Sequence, residues 1–540
     1  MCFSWLMPGH YFPWASAHQD FSVFFAVLLL LFWCLYSLRE FKVPVYFMGF
    51  IFIAAIPFLQ YFLDVIYFFG DALIVSIYIL GFLTSLLVGY NLSIDPSWRV
   101  TFVRVSAGVL VLGGVLSAWI GMRQWLLLSG GIWVADLPLG ARPFANLGQP
   151  NNLATLLCMG CVGVLYFYET RCLGRLASSA LVIFLLLGVV LSQSRTPWVG
   201  AVVLAFFWFW KLRAYKSRLS LGFLLLWLSV YFVGVLLFPL LGGKLQMSVA
   251  DLVVRVSSFD RLDIWMQLFY AVLDRPWLGY GWNQVSVAQV SVSQIYLVPI
   301  MTEHSHNFLL DFLVWNGVLL GVGLVGYLSY WLLRLGCNAC SAESIFGLLV
   351  CGFVLVHGVF EYPLEYAYFL LPVGLLLGMV TADIGVQYEV LLLRWMLAII
   401  VVIGCFGWAF VWYEYSVIDE DYRLMRFESA RIGNVRAEQV APDIFLLTQL
   451  REYIRFVRTP VAEGMTVDDL DWMRKVAYRY PYIPSLFRYA LALGLNGDVA
   501  GAQEHLYVLK SLYGSDAFDE ARRAMLSLSV RYPELAKLSL

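Results

Sequence analysis

Twelve apolar runs, most of them about as long as a bilayer is thick, decide what this chain can fold into. They lie near 21–38, 44–60, 71–90, 100–128, 151–168, 176–193, 197–212, 219–241, 306–333, 344–360, 367–387 and 391–413. A helical crossing needs about 20 apolar residues. Inside hydrocarbon each backbone N–H and C=O must be satisfied by its own segment, and this selects helices. Of the 540 residues 61% are hydrophobic and 13% charged, far from the balance of a soluble domain. The expected fold class is therefore all-α: a polytopic membrane protein of about 12 transmembrane helices. A net charge of −1 gives no broad basic surface, so nucleic acid is not an expected partner.

Lys and Arg are retained on the cytoplasmic side of a membrane. Arg39 and Lys42, Arg99 and Arg104, Arg171 and Arg175, the group Lys211, Arg213, Lys216 and Arg218, then Arg334 and Arg394, fall in alternate connections. All can be cytoplasmic at once. The other connections are then external: 1–20, 61–70, 129–150, 194–196, 242–305, 361–366 and everything after 413. This gives a transmembrane domain over 1–413, with an external loop of about 242–305, and an external helical domain over 414–540. No cleavable signal peptide is visible. MCFSWLM before Pro8 reads as the end of an apolar segment, so the natural start is expected upstream of Met1. The nine cysteines fall in or near the spans, which argues against a disulfide framework. Cys337 and Cys340 have metal-like spacing but no second Cys or His pair nearby, and no metal or cofactor is expected.

Every distinctive polar cluster lies in the external set. MTEHSHNFLLDFLVWNG, from Met301, carries His304, His306 and Asn307 where an irregular segment becomes an apolar helix. A neutral imidazole there could take a proton from a hydroxyl, or the cluster could simply cap the helix. ARPFANLGQPNNLA brings Arg142, Asn146, Gln149 and Asn151 to the start of a span. SQSRTPW holds Arg195 in a very tight turn, where an arginine either snorkels to headgroups or binds an anion. The long loop carries Arg255, then Arg261, Trp265, Leu268 and Phe269 at helical spacing, which suggests an amphipathic helix lying along the membrane. EYPLEYAY places Glu361 and Tyr362 on the same side, where interfacial anchoring is the plain alternative.

Together these residues suit transfer from a lipid-linked pyrophosphate. Arginines would hold the charged leaving group, and a histidine would deprotonate an incoming hydroxyl. A transporter would place its ionisable groups at mid-membrane, whereas Asp64, Asp71 and Asp311 stand near span ends. A mere scaffold would leave the arginines and histidines unexplained. After 413 the composition turns polar, and 480–514 reads as two helices around Gly497-Asp498. This looks like a tetratricopeptide-type unit that binds a partner, with His505 on an ordinary helix face.

RPFANLGQPNNLATLL, SQSRT, DRPWLGYGW, EHSHNFLLDFLVWNG and EYPLEYAY, followed by a helical C-terminal domain, resemble the bacterial protein O-oligosaccharyltransferases of the pilin-glycosylating (PglL) type. These belong to the wider O-antigen ligase and polymerase superfamily, and the resemblance runs from about residue 8 to the end. It implies transfer of a whole glycan from undecaprenyl pyrophosphate to a Ser or Thr hydroxyl of a pilin or other periplasmic protein. The enzyme would lie in the bacterial inner membrane, with its site on the periplasmic face. By the same resemblance Gln149 and His306 match essential residues, Tyr362 the tyrosine after the next span, and Arg195 and Arg261 the pyrophosphate arginines. His304 is kept as a partner, and Arg142, Asn146, Asn151, Asn307 and Arg255 as donor or acceptor contacts. A ligase or polymerase using the same donor is the alternative. The expectation is that these residues converge at one water-exposed pocket.

Overall fold

The computed structural model describes residues 1–128, 131–138, 140–212, 215–244, 260–432 and 440–538. In chain order the helices are α1 Cys2–Leu6, α2 Ala17–Ser37, α3 Gly49–Phe62, α4 Phe69–Asn91, α5 Pro96–Trp125, α6 Pro150–Glu169, α7 Arg175–Ser192, α8 Thr196–Lys211 and α9 Leu221–Lys244. They continue with α10 Asp260–Asp274, α11 Val285–Val292, α12 Phe308–Asn338, α13 Ala342–Gly358, α14 Ala367–Ile384 and α15 Arg394–Ser429. Four more follow: α16 Thr448–Arg458, α17 Val467–Arg479, α18 Ile483–Leu495 and α19 Val499–Ser529. Two short strands, β1 Phe41–Pro44 and β2 Glu389–Leu392, and four 3-10 turns accompany them.

Among the described residues, 10 helices are long and apolar enough to cross a membrane. The remaining two expected spans, 197–212 and 344–360, are helices of 16 and 17 residues. At 1.5 Å per residue they fall short of the roughly 30 Å hydrocarbon thickness. α8 is held short by the turn at Arg195, and α13 begins only at Ser341, whose side chain caps it by accepting from Ser344 N–H at 3.0 Å.

The chain forms two compact units, the first comprising Met1–Phe52, Tyr78–Ser257 and Ser329–Trp408. Within it α6 and α14 are interior helices, with 83% and 78% of their spanning windows buried, against 33% for α2. A helix apolar on every side belongs in such a position. α14 meets α4 at Gly378, where a Cβ would stand 2.1 Å from the Leu86 carbonyl oxygen; such close approach of backbones is how helices pack in lipid. Strands β1 and β2 pair antiparallel, Phe41 opposite Leu392 and Pro44 opposite Glu389, and Lys42 pairs with Glu389 at 3.0 Å.

The second unit gathers Ile53–Ile77, Ser258–Leu328 and Ala409–Leu540. Here the run expected as one span over 306–333 is broken. Gly317 has φ 73° and ψ 178° and interrupts α12. It faces Gly279 (φ 67°), and the backbones join through Tyr280 N–H to Val314 O (2.8 Å), Gly281 N–H to Trp315 O (3.0 Å) and Val318 N–H to Pro276 O (2.7 Å). From α3, Gln60 donates to Trp315 O at 2.8 Å and accepts from Trp282 N–H at 3.1 Å. LGYGW and VWNG are thus two halves of one backbone joint. A Cβ on Gly317 would lie 2.6 Å from the Pro276 carbonyl oxygen. Gly317→Ala is expected to destabilise by more than ~1 kcal/mol, since alanine disfavours positive φ. Thermal unfolding of the purified variant checks this, with Gly323→Ala, which meets open space, as the unaffected control.

The boundary expected at 413 falls inside α15, a helix of 36 residues. Glu414 is buried there and accepts from the backbone N–H groups of Phe445, Leu446 and Leu447 at 2.8, 2.8 and 3.1 Å. The helix pair expected around Gly497-Asp498 is α18 and α19, with Asp498 capping α19 by accepting from Gly501 N–H at 2.8 Å. Phe456, Met473, Leu486, Leu506 and Leu509 form their core, which also takes in Phe68 and Val290. At its edge Arg479 holds Asp71 bidentately at 2.9 and 3.0 Å, and Asn283 donates to Asp71 at 3.0 Å.

Candidate functional site

In the first unit the candidate residues collect where three helices begin or end. Pro150 opens α6 with its φ preset for a helix and leaves Gln149 as the extended N-cap (φ −144°, ψ 135°). α7 ends in a left-handed Gln193 (φ 51°, ψ 29°), and Arg195 is the N-cap of α8. Between them Ser194 donates to Asn151 Oδ1 at 2.6 Å. Asn151 Nδ2 donates to Glu361 Oε1 at 2.9 Å, and Gln149 Nε2 donates to Glu361 Oε2 at 3.3 Å. Glu361 is 4% exposed and is the hub of this network. Arg142 donates to Gln193 O at 3.3 Å, which ties the ARPFANLGQPNN loop to the SQSRT turn.

Tyr362 is the N-cap of the 3-10 turn Pro363–Glu365, and its ring lies 6.0 Å from that of Tyr366, which stacks on Tyr368 at 5.0 Å. Burial, and after it the neighbouring Tyr362, push the Tyr366 phenol well above its ordinary range, so its hydroxyl keeps its proton. One turn before Glu361, buried His357 shares a hydrogen bond between Nδ1 and Thr155 Oγ1 at 2.9 Å.

Asn146, expected as a donor or acceptor contact, is held by the backbone around it. It is fully buried, with Nδ2 donating to Leu6 O (2.6 Å) and Trp133 O (2.8 Å) and Oδ1 accepting from Ala135 N–H (3.0 Å). Its amide braces the loop, because a buried amide must spend its donors and acceptors on whatever backbone surrounds it.

The second unit holds Arg261, His304 and His306. Arg261 lies in the first turn of α10, whose Ile264, Leu268 and Ala271 pack inward, while Leu262, Met266, Phe269 and Leu273 are at least 46% exposed. The exposed apolar stripe is thus 262, 266, 269 and 273, and Leu268, expected on the membrane face with Phe269, is on the inner one. Trp265 Nε1 donates to Ser305 O at 2.9 Å and ties α10 to the histidine segment. There Asn307 and Ser305 supply the cap: Leu309 N–H donates to Asn307 Oδ1 and Asn307 N–H to Ser305 Oγ, both at 3.1 Å. Ser305 N–H reaches Asp311 Oδ1 at 3.1 Å. Asn307 therefore acts in capping, whatever else it touches. Half-buried His306 sits between these fixed neighbours with φ 58°, a conformation that non-glycine residues seldom adopt. The Thr302 hydroxyl donates to the carbonyl of half-buried His304 at 2.5 Å, and the Tyr482 hydroxyl from α18 donates to Glu303 at 2.9 Å. Burial first and Glu303 second raise the Tyr482 phenol, which keeps it a donor. Arg255 lies outside the described residues.

Gln149, Asn151, Arg195 and Tyr362 thus belong to one unit and Arg261, His304 and His306 to the other. Two participants escaped the sequence reading. Glu361 had been noted only as an interfacial residue, and His357 not at all. An ionisable residue inside or at the end of an apolar run is itself a functional signal, and would have marked both.

Residues 180–325 match the family model described as O-Antigen ligase, and residues 345–526 the one described as Virulence factor membrane-bound polymerase, C-terminal. The chain is 31% identical over 525 residues to the General O-oligosaccharyltransferase of Acinetobacter baylyi, covering 95% of this chain and 91% of that one. It is 26% identical over 483 residues to the ComP-specific O-oligosaccharyltransferase of the same organism, covering 88% and 86%.

Proposed function

We propose, for a chain that belongs to the O-oligosaccharyltransferases of the O-antigen ligase superfamily and is therefore a membrane glycosyltransferase, a specific donor, acceptor and mechanism. The donor is an oligosaccharide on undecaprenyl pyrophosphate. The acceptor is a Ser or Thr hydroxyl of a pilin or other periplasmic protein, and the reaction occurs at the periplasmic face of the inner membrane. His306 takes the hydroxyl proton while the oxygen bonds to the anomeric carbon from the side opposite the leaving group. The anomeric C–O bond breaks, and undecaprenyl pyrophosphate departs with the electron pair, its charge met by Arg195 and Arg261. Gln149, held against Glu361, and Tyr362 orient donor or acceptor, with Asn151 fixing Glu361. No metal ion takes part in this scheme.

The observation that carries the reading is the backbone of His306. A left-handed histidine is costly, and such conformations persist where surrounding bonds over-determine them, commonly at reactive groups. Here Ser305, Asn307 and Asp311 do so. The two family-model matches also favour a second reading, transfer to a lipid-linked sugar by a ligase or polymerase.

Reconstitution with an undecaprenyl-pyrophosphate glycan, a candidate pilin and a chelator tests all of this together. The expected result is a pilin heavier by one glycan, read by intact mass, with the rate indifferent to chelator. Transfer only to lipid-linked sugar would replace the protein acceptor with the second reading. Loss of transfer in chelator would remove the metal-free scheme.

A further inference from the structure

At the end of α6 remote from Gln149 the first unit carries a second polar construction. α6 is 20 residues long, so roughly 30 Å of helix separates its two ends. There the Glu169 carboxylate takes up donors from the connection ahead of α9. Oε1 accepts from the Ser217 hydroxyl (2.7 Å) and Leu219 N–H (2.9 Å), and Oε2 from Arg218 N–H (2.7 Å) and the Tyr215 hydroxyl (3.3 Å). These bonds fix the segment, and Arg218 lies with its guanidinium carbon 4.4 Å from the centre of the Tyr168 ring while Nη1 donates to the Tyr168 carbonyl at 2.8 Å. Tyr168 stacks on Phe223 of α9 at 6.4 Å and 15°, and Arg175, the first residue of α7, lies 5.7 Å over the Phe223 ring. Two guanidiniums thus rest on one stacked pair of rings. Arg171 belongs to the same corner: in a left-handed turn (φ 62°), its N–H also donates to the Tyr168 carbonyl, at 3.2 Å.

Arg171, Arg175, Lys216 and Arg218 are all exposed, and among the described residues none of them forms an ion pair. Retention of Lys and Arg on one side of a membrane accounts for positive charge here. It does not account for the ring ladder, because a charge that merely stays behind needs no aromatic partner. A guanidinium with its face on a ring keeps its in-plane N–H groups for two oxygens of one phosphate. The surroundings are those of a lipid-facing surface. α9 is a peripheral span, with 17% of its window buried, and Leu176, the neighbour of Arg175, is 86% exposed. Leu221 and Leu225, on either side of Phe223, are exposed as well. The geometry points to a site for an anionic phospholipid, its phosphodiester held by Arg175 and Arg218 with Arg171 and Lys216 beside them, and its acyl chains on the leucines of α7 and α9. A zwitterionic headgroup brings its own ammonium against four cations and is disfavoured. A soluble anion gains the charge but not the apolar half.

The test uses the full chain in a neutral detergent, titrated at one salt concentration with fluorescent phosphatidylglycerol or with phosphatidylcholine of identical acyl chains. The wild type should bind phosphatidylglycerol roughly tenfold more tightly. Arg175→Gln together with Arg218→Gln should weaken phosphatidylglycerol binding roughly tenfold or more and leave phosphatidylcholine unchanged, since a basic residue at a membrane surface contributes about fivefold. Arg39→Gln together with Arg394→Gln removes the same charge from two other exposed positions and should change binding little. An equal loss in this control pair would overturn the site, because the attraction would then be diffuse surface charge. Equal affinity of the wild type for the two lipids would overturn it as well. Inorganic phosphate at the same concentration should not displace the lipid, and displacement would put a soluble anion in its place. Should the glutamine pair fold poorly, Arg175→Lys with Arg218→Lys keeps both charges, loses the planar forks and should weaken binding severalfold. Unchanged affinity in either arginine pair would end the grip assigned to the stacked guanidiniums.

Discussion

His306→Gly is expected to lower the transfer rate by about 10²–10⁴, the usual contribution of a positioned general base, without lowering thermal stability. The two halves of this expectation pull apart for a reason. With φ at 58°, the backbone of residue 306 is one that glycine adopts freely, so removing the side chain relieves conformational cost at the same position where it removes chemistry. A residue with no part in the chemistry would show the same relief of strain with activity preserved. Unfolding midpoints and single-turnover transfer, measured on the same preparation, separate these outcomes, and full activity in the glycine variant would end the role given to His306. Asn307→Ala provides the contrast. It removes a helix cap worth about 1 kcal/mol and should shift stability more than it shifts the chemical step.

Arg479→Ala is expected to destabilise the second unit by about 3–5 kcal/mol, because it strands a carboxylate in the interior. Asp71 has no exposed side-chain surface and Arg479 only 8%, so water cannot take the arginine's place. The measurement is the unfolding midpoint, or the yield of full-length protein if the variant fails to assemble. Replacing both residues with apolar side chains of similar volume should recover most of the loss, since what hurts is an unmatched buried charge more than the missing pair. A single variant as stable as the parent would mean that Asn283 alone satisfies the carboxylate.

Helices were legible wherever the signal was length and hydropathy, as with the run that became α6. Helix ends were legible where a residue acts locally, as Asp498 does in capping α19. The joint between Gly279 and Gly317 was not. Its glycines were visible, but periodicity carries no sign that one apolar run is cut by a neighbour's backbone 38 residues upstream. The strands were missed for a similar reason: four residues between long helices have no pattern, and only a distant partner gives them structure. Among the candidate residues, Gln149, Arg195 and His306 stand out in the sequence because each sits in a polar island between apolar runs. Asn146 lies in the same island yet faces inward, and composition cannot tell an amide aimed at backbone from one aimed at a ligand. Glu361 was hidden by its neighbours: beside Phe360 and Tyr362 it reads as an anchor, and only contact with Gln149 and Asn151 shows it as a hub.

The β1–β2 ladder also has a temporal meaning. Phe41–Pro44 leaves the ribosome nearly 350 residues ahead of the segment that pairs with it. At roughly 5–20 residues per second that edge waits for much of a minute with its hydrogen-bonding groups unclaimed. Membrane insertion of the early helices therefore cannot be the last act of biogenesis. The latch closes only when almost the whole membrane portion has been made, and nascent chains halted before Leu392 should remain open to proteases at the segment carrying Lys42.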